Sequence, residues 1–176
     1  MAANSIPNKQ SPIKSLRLPT IIDVEASGFG VNSYPIEVGV VRSDGARYCK
    51  LIKPFDDWQF WQSSAQTVHG ITRQDLLEHG VHGTQLCVEL NEFLRGDIAY
   101  SDGWVVDSPW LNILYQRARV QMTFKLSSLE MIMKESQMAC WHQVKDTVIE
   151  SLQLVRHRAS NDALIIQKTY ELTRAF

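Results

Sequence analysis

Apolar positions in the first third of the chain follow strand patterns. The run Pro19-Thr20-Ile21-Ile22-Asp23-Val24-Glu25 has no helical period and gives way to Ser27-Gly28, which predicts a buried strand over Pro19 to Glu25. Pro35 to Val41 (PIEVGVV) predicts a second strand. Ser43-Asp44-Gly45 signals a hairpin turn, and Ala46 to Ile52 an antiparallel return that Pro54 closes. Helical periods take over beyond this point. Thr72 to His79 has Thr72 as N-cap and stops at Gly80, and Thr84 to Leu94 carries Leu86, Val88, Leu90, Phe93 and Leu94 ahead of Gly96. A short strand follows at Ile98 to Ser101. Pro109 suits the first position of a helix continuing through Trp110 to Arg119. A weak strand is predicted at Met122 to Leu126, with helical stretches at Ser127 to Glu135 and Gln143 to Val155. The last helix, Arg158 to Arg174, is amphipathic through Ala159, Ala163, Ile166 and Tyr170. Antiparallel strands first and strands alternating with helices later describe an α/β chain, with a mixed central sheet of about five strands flanked by helices.

Composition narrows the function classes. The chain of 176 residues suits one domain, and its 44% hydrophobic and 21% charged content is that of a globular protein. Its 18 basic and 19 acidic residues leave a formal charge of −1, so no global field recruits nucleic acid or a membrane, and a polyanion must be met locally. The three cysteines, Cys49, Cys87 and Cys140, fit a reducing compartment better than a disulfide framework. Residues 1–17, rich in Asn, Ser, Pro and Lys, read as a flexible tail without the apolar core of a signal peptide, and residues 18–176 as the domain. No apolar run approaches the roughly 20 residues of a membrane span. The expectation is a cytoplasmic protein that does not enter a membrane. The sequence does not fix its oligomeric state.

Asp23 and Glu25 stand two apart in a strand, so they share a face while Val24 points the other way. Two carboxylates so close repel unless solvent, a proton or a cation separates them. His157 precedes Asp162 by five positions, slightly more than a helical turn, so the two could flank one site. Asp107, near the predicted helix that follows the Ile98 to Ser101 strand, is a third candidate, with N-capping as its plainer role and Asp102 as a rival acid. His79 and His82 with Cys87 straddle two glycines and read as loop residues rather than a zinc site. Cys140 has no orienting partner and reads as a packed thiol, and among the five tryptophans Trp104 is the one considered for a substrate groove.

Taken in order, Asp23-Val24-Glu25 with Ser27-Gly28-Phe29, Asp107, and His157-Arg158-Ala159-Ser160-Asn161-Asp162-Ala163 resemble the DEDDh 3'-5' exonucleases, the DnaQ-like and ribonuclease T-like enzymes of the ribonuclease H-like fold. Pro35-Ile36-Glu37-Val38-Gly39 and Val68-His69-Gly70-Ile71 sit where such proteins carry similar segments, and the resemblance spans about Leu18 to Phe176. It departs at Ala26, where the family commonly has Thr or Ser, and at Gly103 and Val106, where it commonly has Asn and Phe. The resemblance implies two Mg²⁺ or Mn²⁺ ions held by Asp23, Glu25, Asp107 and Asp162, with Asp23 shared between them and His157 as general base. Carboxylates suit these hard cations, and an imidazole ordinarily titrates near neutrality. It further implies hydrolysis of phosphodiesters at the 3' ends of single-stranded DNA or RNA, with release of nucleoside monophosphates. Ala26, Ser27, Gly28 and Phe29 would then lie against the terminal nucleotide, with Phe29 stacking on its base. The four carboxylates are expected to converge without a cationic side chain among them. The competing reading is a non-catalytic nucleic-acid-binding or polymerase-accessory module with the same fold.

Overall fold

The computed structural model describes residues 17–176; the tail expected over residues 1–17 lies outside the described residues except for Arg17. Six strands form one sheet: β1 (Thr20–Ala26), β2 (Pro35–Val41), β3 (Arg47–Lys53), β4 (Val81–His82), β5 (Ile98–Ser101) and β6 (Lys125–Ser128). Their spatial order is β4-β3-β2-β1-β5-β6. The β1–β2 and β2–β3 pairs are antiparallel, whereas β3–β4, β1–β5 and β5–β6 are parallel. The mixed sheet of the sequence reading is therefore present, with six strands rather than about five. The extra one is the two-residue β4, too short for a periodic signal.

Side-chain alternation divides the two faces of the sheet. Ile22, Val24, Ile36, Val38 and Val40 join the larger apolar core beneath α3 (Gly83–Phe93) and α4 (Trp104–Ala118), while α1 (Ser63–His69) and α2 (Arg73–His79) complete the first half of the helical set. Ile21 and Val41 turn to the opposite face, where Trp141 of α5 (Glu135–Leu152) and Ala163 and Ile166 of α6 (Ala159–Thr173) cover them. Asp23 and Glu25 share the parity of Ile21, so both carboxylates face the α6 side. Across the β1–β2 ladder, Asp23 lies opposite Gly39 and Glu25 opposite Glu37.

Several boundaries differ from the sequence reading. α4 begins at Trp104, not at Pro109, and the proline lies inside the helix. The Val105 carbonyl that residue 109 would have bonded belongs to a residue 78% exposed, so water can serve it. The strand expected over Met122 to Leu126 forms three residues later as β6, where register with β5 decides the pairing. Ser127 to Glu135 yields only a 3₁₀ turn, Leu129–Ile132, and α5 starts at Glu135 rather than Gln143. The first strand and the last helix shift by one residue at each end, within ordinary fraying.

Candidate active site

At the end of β1 the ladder shifts register between Glu25 and Ala26, which ends the regular strand beside the carboxylates. Beyond it the chain is pinned. Ser27 donates its N–H to the Tyr34 carbonyl (2.9 Å), and its Oγ accepts from the Tyr34 N–H (3.1 Å), so this buried side chain is turned inward. A side chain at Gly28 would have to displace the Gln62 amide, so the glycine leaves room for that group. The oxygen of that amide accepts the Phe29 N–H at 2.6 Å. Phe29 itself is 69% exposed and does not pack beneath the loop. Trp104, Val105 and Val106 of the first turn of α4 are likewise exposed.

Asp107 is no N-cap: Gly103 holds that position, and Asp107 lies in the first turn with its N–H donating to the Gly103 carbonyl. Its side chain is buried and accepts from Ser101 Oγ at the end of β5. Asp102 is engaged elsewhere, its Oδ2 accepting from Lys145 Nζ at 2.6 Å. Asp162 is buried in the first turn of α6. The pairing of His157 with Asp162 does not arise within one helix, because His157 precedes α6 in a loop. It has a left-handed backbone (φ 58°), and its N–H donates to Asp162 Oδ2 at 2.9 Å. Strain of this kind persists where surrounding contacts hold it. Ligand atoms of Glu25, His157 and Asp162 all lie within 4.8 Å of one another.

Electrostatics show how crowded the acids are. Burial raises the Asp23 carboxyl well above its ordinary range, and the charges of Asp107, Glu25, Asp162 and Asp102 raise it further. Burial and then Asp162 and Glu37 push Glu25 up to about 7. Burial raises Asp107 against the opposing Ser101 hydrogen bond. Carboxylates that resist ionisation together are relieved by a shared cation, and hard oxygen donors of this kind fit a divalent ion.

The expectation that no cationic side chain stands among these acids is corrected. Arg156 Nε donates to Asp162 Oδ1 at 2.7 Å, at one edge of the cluster. A second arginine holds the frame. Glu37 is fully buried on β2, and Arg158 grips it through Nε (3.1 and 3.2 Å) and through a second guanidinium nitrogen (2.6 Å), while the Ala159 N–H adds a bond of 2.8 Å. A Cβ on Gly39 would fall 2.1 Å from the Ser160 nitrogen, so α6 rests directly on the β2 backbone. Arg47 on β3 donates to the Ser160 carbonyl (2.9 Å) and to Asn161 Oδ1 (3.2 Å). His69 is buried nearby, in the field of Glu37, Arg158 and His157. Its Nδ1 accepts from the Ile71 N–H, and burial lowers its pKa.

Sequence reasoning missed Arg156, Arg158 and Glu37 as parts of this frame. A charged residue in the otherwise apolar run PIEVGVV was the available signal, since a buried carboxylate requires a partner.

No family model matches the chain, and no curated protein matches it in sequence. Solved structures do match in fold. Escherichia coli exonuclease I in complex with a 5cy-dT13 oligonucleotide superposes with a TM-score of 0.68 at 14% identity, over 90% of this chain and 41% of that one. The zinc-bound form of the E. coli exonuclease I–ssDNA complex gives 0.66 at 15%, over 89% and 41%. A moderately thermophilic exonuclease I from Methylocaldum szegediense gives 0.55 at 16%, over 69% and 29%. The chain thus spans about two fifths of the length of the E. coli structures it resembles. The shared architecture is the ribonuclease H-like fold.

Proposed function

We propose that the chain is a metal-dependent 3'-5' exonuclease of DEDDh type that releases nucleoside monophosphates from single-stranded DNA or RNA. The observation that carries this reading is the convergence of Asp23 and Glu25, half-buried at the end of β1, with the buried Asp107 of α4 and Asp162 of α6, on a fold shared with exonuclease I. Asp23, Glu25, Asp107 and Asp162 would hold Mg²⁺ or Mn²⁺. Two such ions, when bound, lower the pKa of a water and neutralise charge on the phosphate and leaving oxygen. The rest falls to the chain's own groups. His157, half exposed and 4.0 Å from Asp162 through Nδ1, is placed to take a proton from a water entering from solvent. Ser101 orients Asp107, and the His157 N–H and Arg156 orient Asp162. Of the loop Ala26-Ser27-Gly28-Phe29, the first three residues are buried and shape the edge of the site, and the exposed Phe29 ring is the surface on which an unpaired base can stack.

The deciding experiment incubates the protein with end-labelled single-stranded DNA and RNA in Mg²⁺, in Mn²⁺ and in excess chelator. Mononucleotides should appear with either metal and vanish with chelator; undiminished release in chelator refutes the reading. The Arg156–Asp162 pair supports a second reading, in which a built-in cation occupies one edge of the cluster of a binding module without turnover. Oligonucleotide binding with no product under any metal condition would select it.

A further inference from the structure

A cavity of about 230 Å³ opens between the end of β5, the 3₁₀ turn and α5. Leu129 and Trp141, both buried, line it with Met133 and Met138, and Glu130 and His142 add polar groups to the lining. The lining also holds the ion pair of Asp102 with Lys145 (2.6 Å), each side chain 23% exposed. Asp102 adds its charge to the field that raises both Asp23 and Asp107, and its neighbour Ser101 holds Asp107. The cavity therefore begins where the acid cluster ends. Phe29, in the loop that leaves β1, does not line it.

We infer that this cavity receives a nucleobase of the substrate strand, the one preceding the terminal nucleotide. The inference rests on the exonuclease reading and adds to it a second base site distinct from the Phe29 loop. Three features favour that occupant. Its apolar lining is two thioethers, a leucine and the edge of an indole, soft surfaces against which any base can lie. Its lining includes Lys145, paired with Asp102 alone of the two lining carboxylates, and a backbone phosphate can take the place of Asp102 with like charge and stronger acceptors. Its position beside Asp102, whose charge acts on Asp23 and Asp107, suits a strand already lying across the acids. A strand held at two bases also has its scissile phosphate positioned between two contacts, so this site would favour unpaired substrates longer than one nucleotide.

The test compares two substrates. A single-stranded oligonucleotide can reach the cavity. The 4-nitrophenyl ester of thymidine 5'-monophosphate has one base and cannot. Met138→Trp narrows the cavity from a partly exposed position on α5, and Lys145→Ala removes the lining cation. For Met138→Trp the ratio of kcat/KM for the oligonucleotide to that for the ester should fall by roughly tenfold, within the span expected for losing one base contact, and for Lys145→Ala it should fall in the same direction. Because a ratio is read, general damage to the fold or to the catalytic centre cancels. An unchanged ratio in both variants overturns the inference. Anisotropy of a fluorescent dT oligomer in Ca²⁺ separates this outcome from failure of the exonuclease reading. Wild-type protein that binds the oligomer but hydrolyses neither substrate contradicts exonuclease activity, and Met138→Trp should still weaken that binding by roughly tenfold if the cavity holds a base.

Discussion

Asp107 is 3% exposed and held by Ser101, in a field shared with Asp23, whereas Asp102, five residues earlier, is satisfied by Lys145. The two acids are equivalent in charge and differ only in what surrounds them. A carboxylate that contributes about 3 kcal/mol to the reacting centre costs roughly a hundredfold in rate when lost. Asp107→Asn should therefore reduce kcat for oligonucleotide hydrolysis by roughly that factor, and Asp102→Asn by less than roughly tenfold. The reverse ranking in steady-state assays would make Asp102 the metal ligand. Sequence alone left this choice open, because spacing places both acids near one strand end and only burial separates them. The same limit hid Arg158: its partner Glu37 lies 121 positions away, and no local pattern joins a strand carboxylate to a guanidinium at that distance.

At the level of elements, the site depends on how α6 sits on β2. The first turn of α6 rests on Gly39, while Glu37 takes the Ala159 N–H at the helix N-terminus, where the dipole favours negative charge. Gly39→Ala would place a methyl group inside contact distance of the Ser160 backbone, which no rotamer change relieves. Overpacking of this kind costs about 1–3 kcal/mol. The melting midpoint should fall by several degrees, at roughly 2–4 °C per kcal/mol for a domain this size. Activity should fall more steeply than stability, since Asp162 and His157 move with α6. A variant with wild-type midpoint and rate would show that α6 does not position the site. The elements were unequally legible. β1 to β3 could be read because alternation, a Ser-Asp-Gly turn and bounding prolines agree. α4 could not be placed from its start, because Trp104-Val105-Val106 are weak helix formers and Pro109 resembles a first-turn residue. Tertiary placement of Asp107 beside β1 prevailed over both.

For the molecule as a whole, the crowded acids couple stability to pH and, under the proposed reading, to metal. Glu25 has an ordinary value of 4.5 and rises to about 7 in the folded protein, and Asp23 and Asp107 rise as well. A group with a raised folded pKa binds protons more tightly folded than unfolded. Its contribution is thus complete below the unfolded value and is lost as pH rises through the folded one. His69 works in the opposite sense, its lowered pKa costing stability only as pH falls below 6.5. Cys87, raised from 9.0 to about 12, titrates above the range of interest. The interval from pH 7 to pH 8.5 therefore isolates the acid cluster. In excess chelator the melting midpoint should fall by a few degrees across it. Saturating Mn²⁺ at pH 8.5 should more than restore the loss, because a ligand that binds only the folded state stabilises it by mass action and here also replaces the missing protons. Asp23→Asn should raise the midpoint in chelator at pH 8.5 by removing one of the crowded charges, and should reduce the response to Mn²⁺. A midpoint that rises between pH 7 and pH 8.5 without metal, or an Asp23→Asn variant that melts below the wild type, would mean that the clustered carboxylates are not the groups that set the stability of this protein.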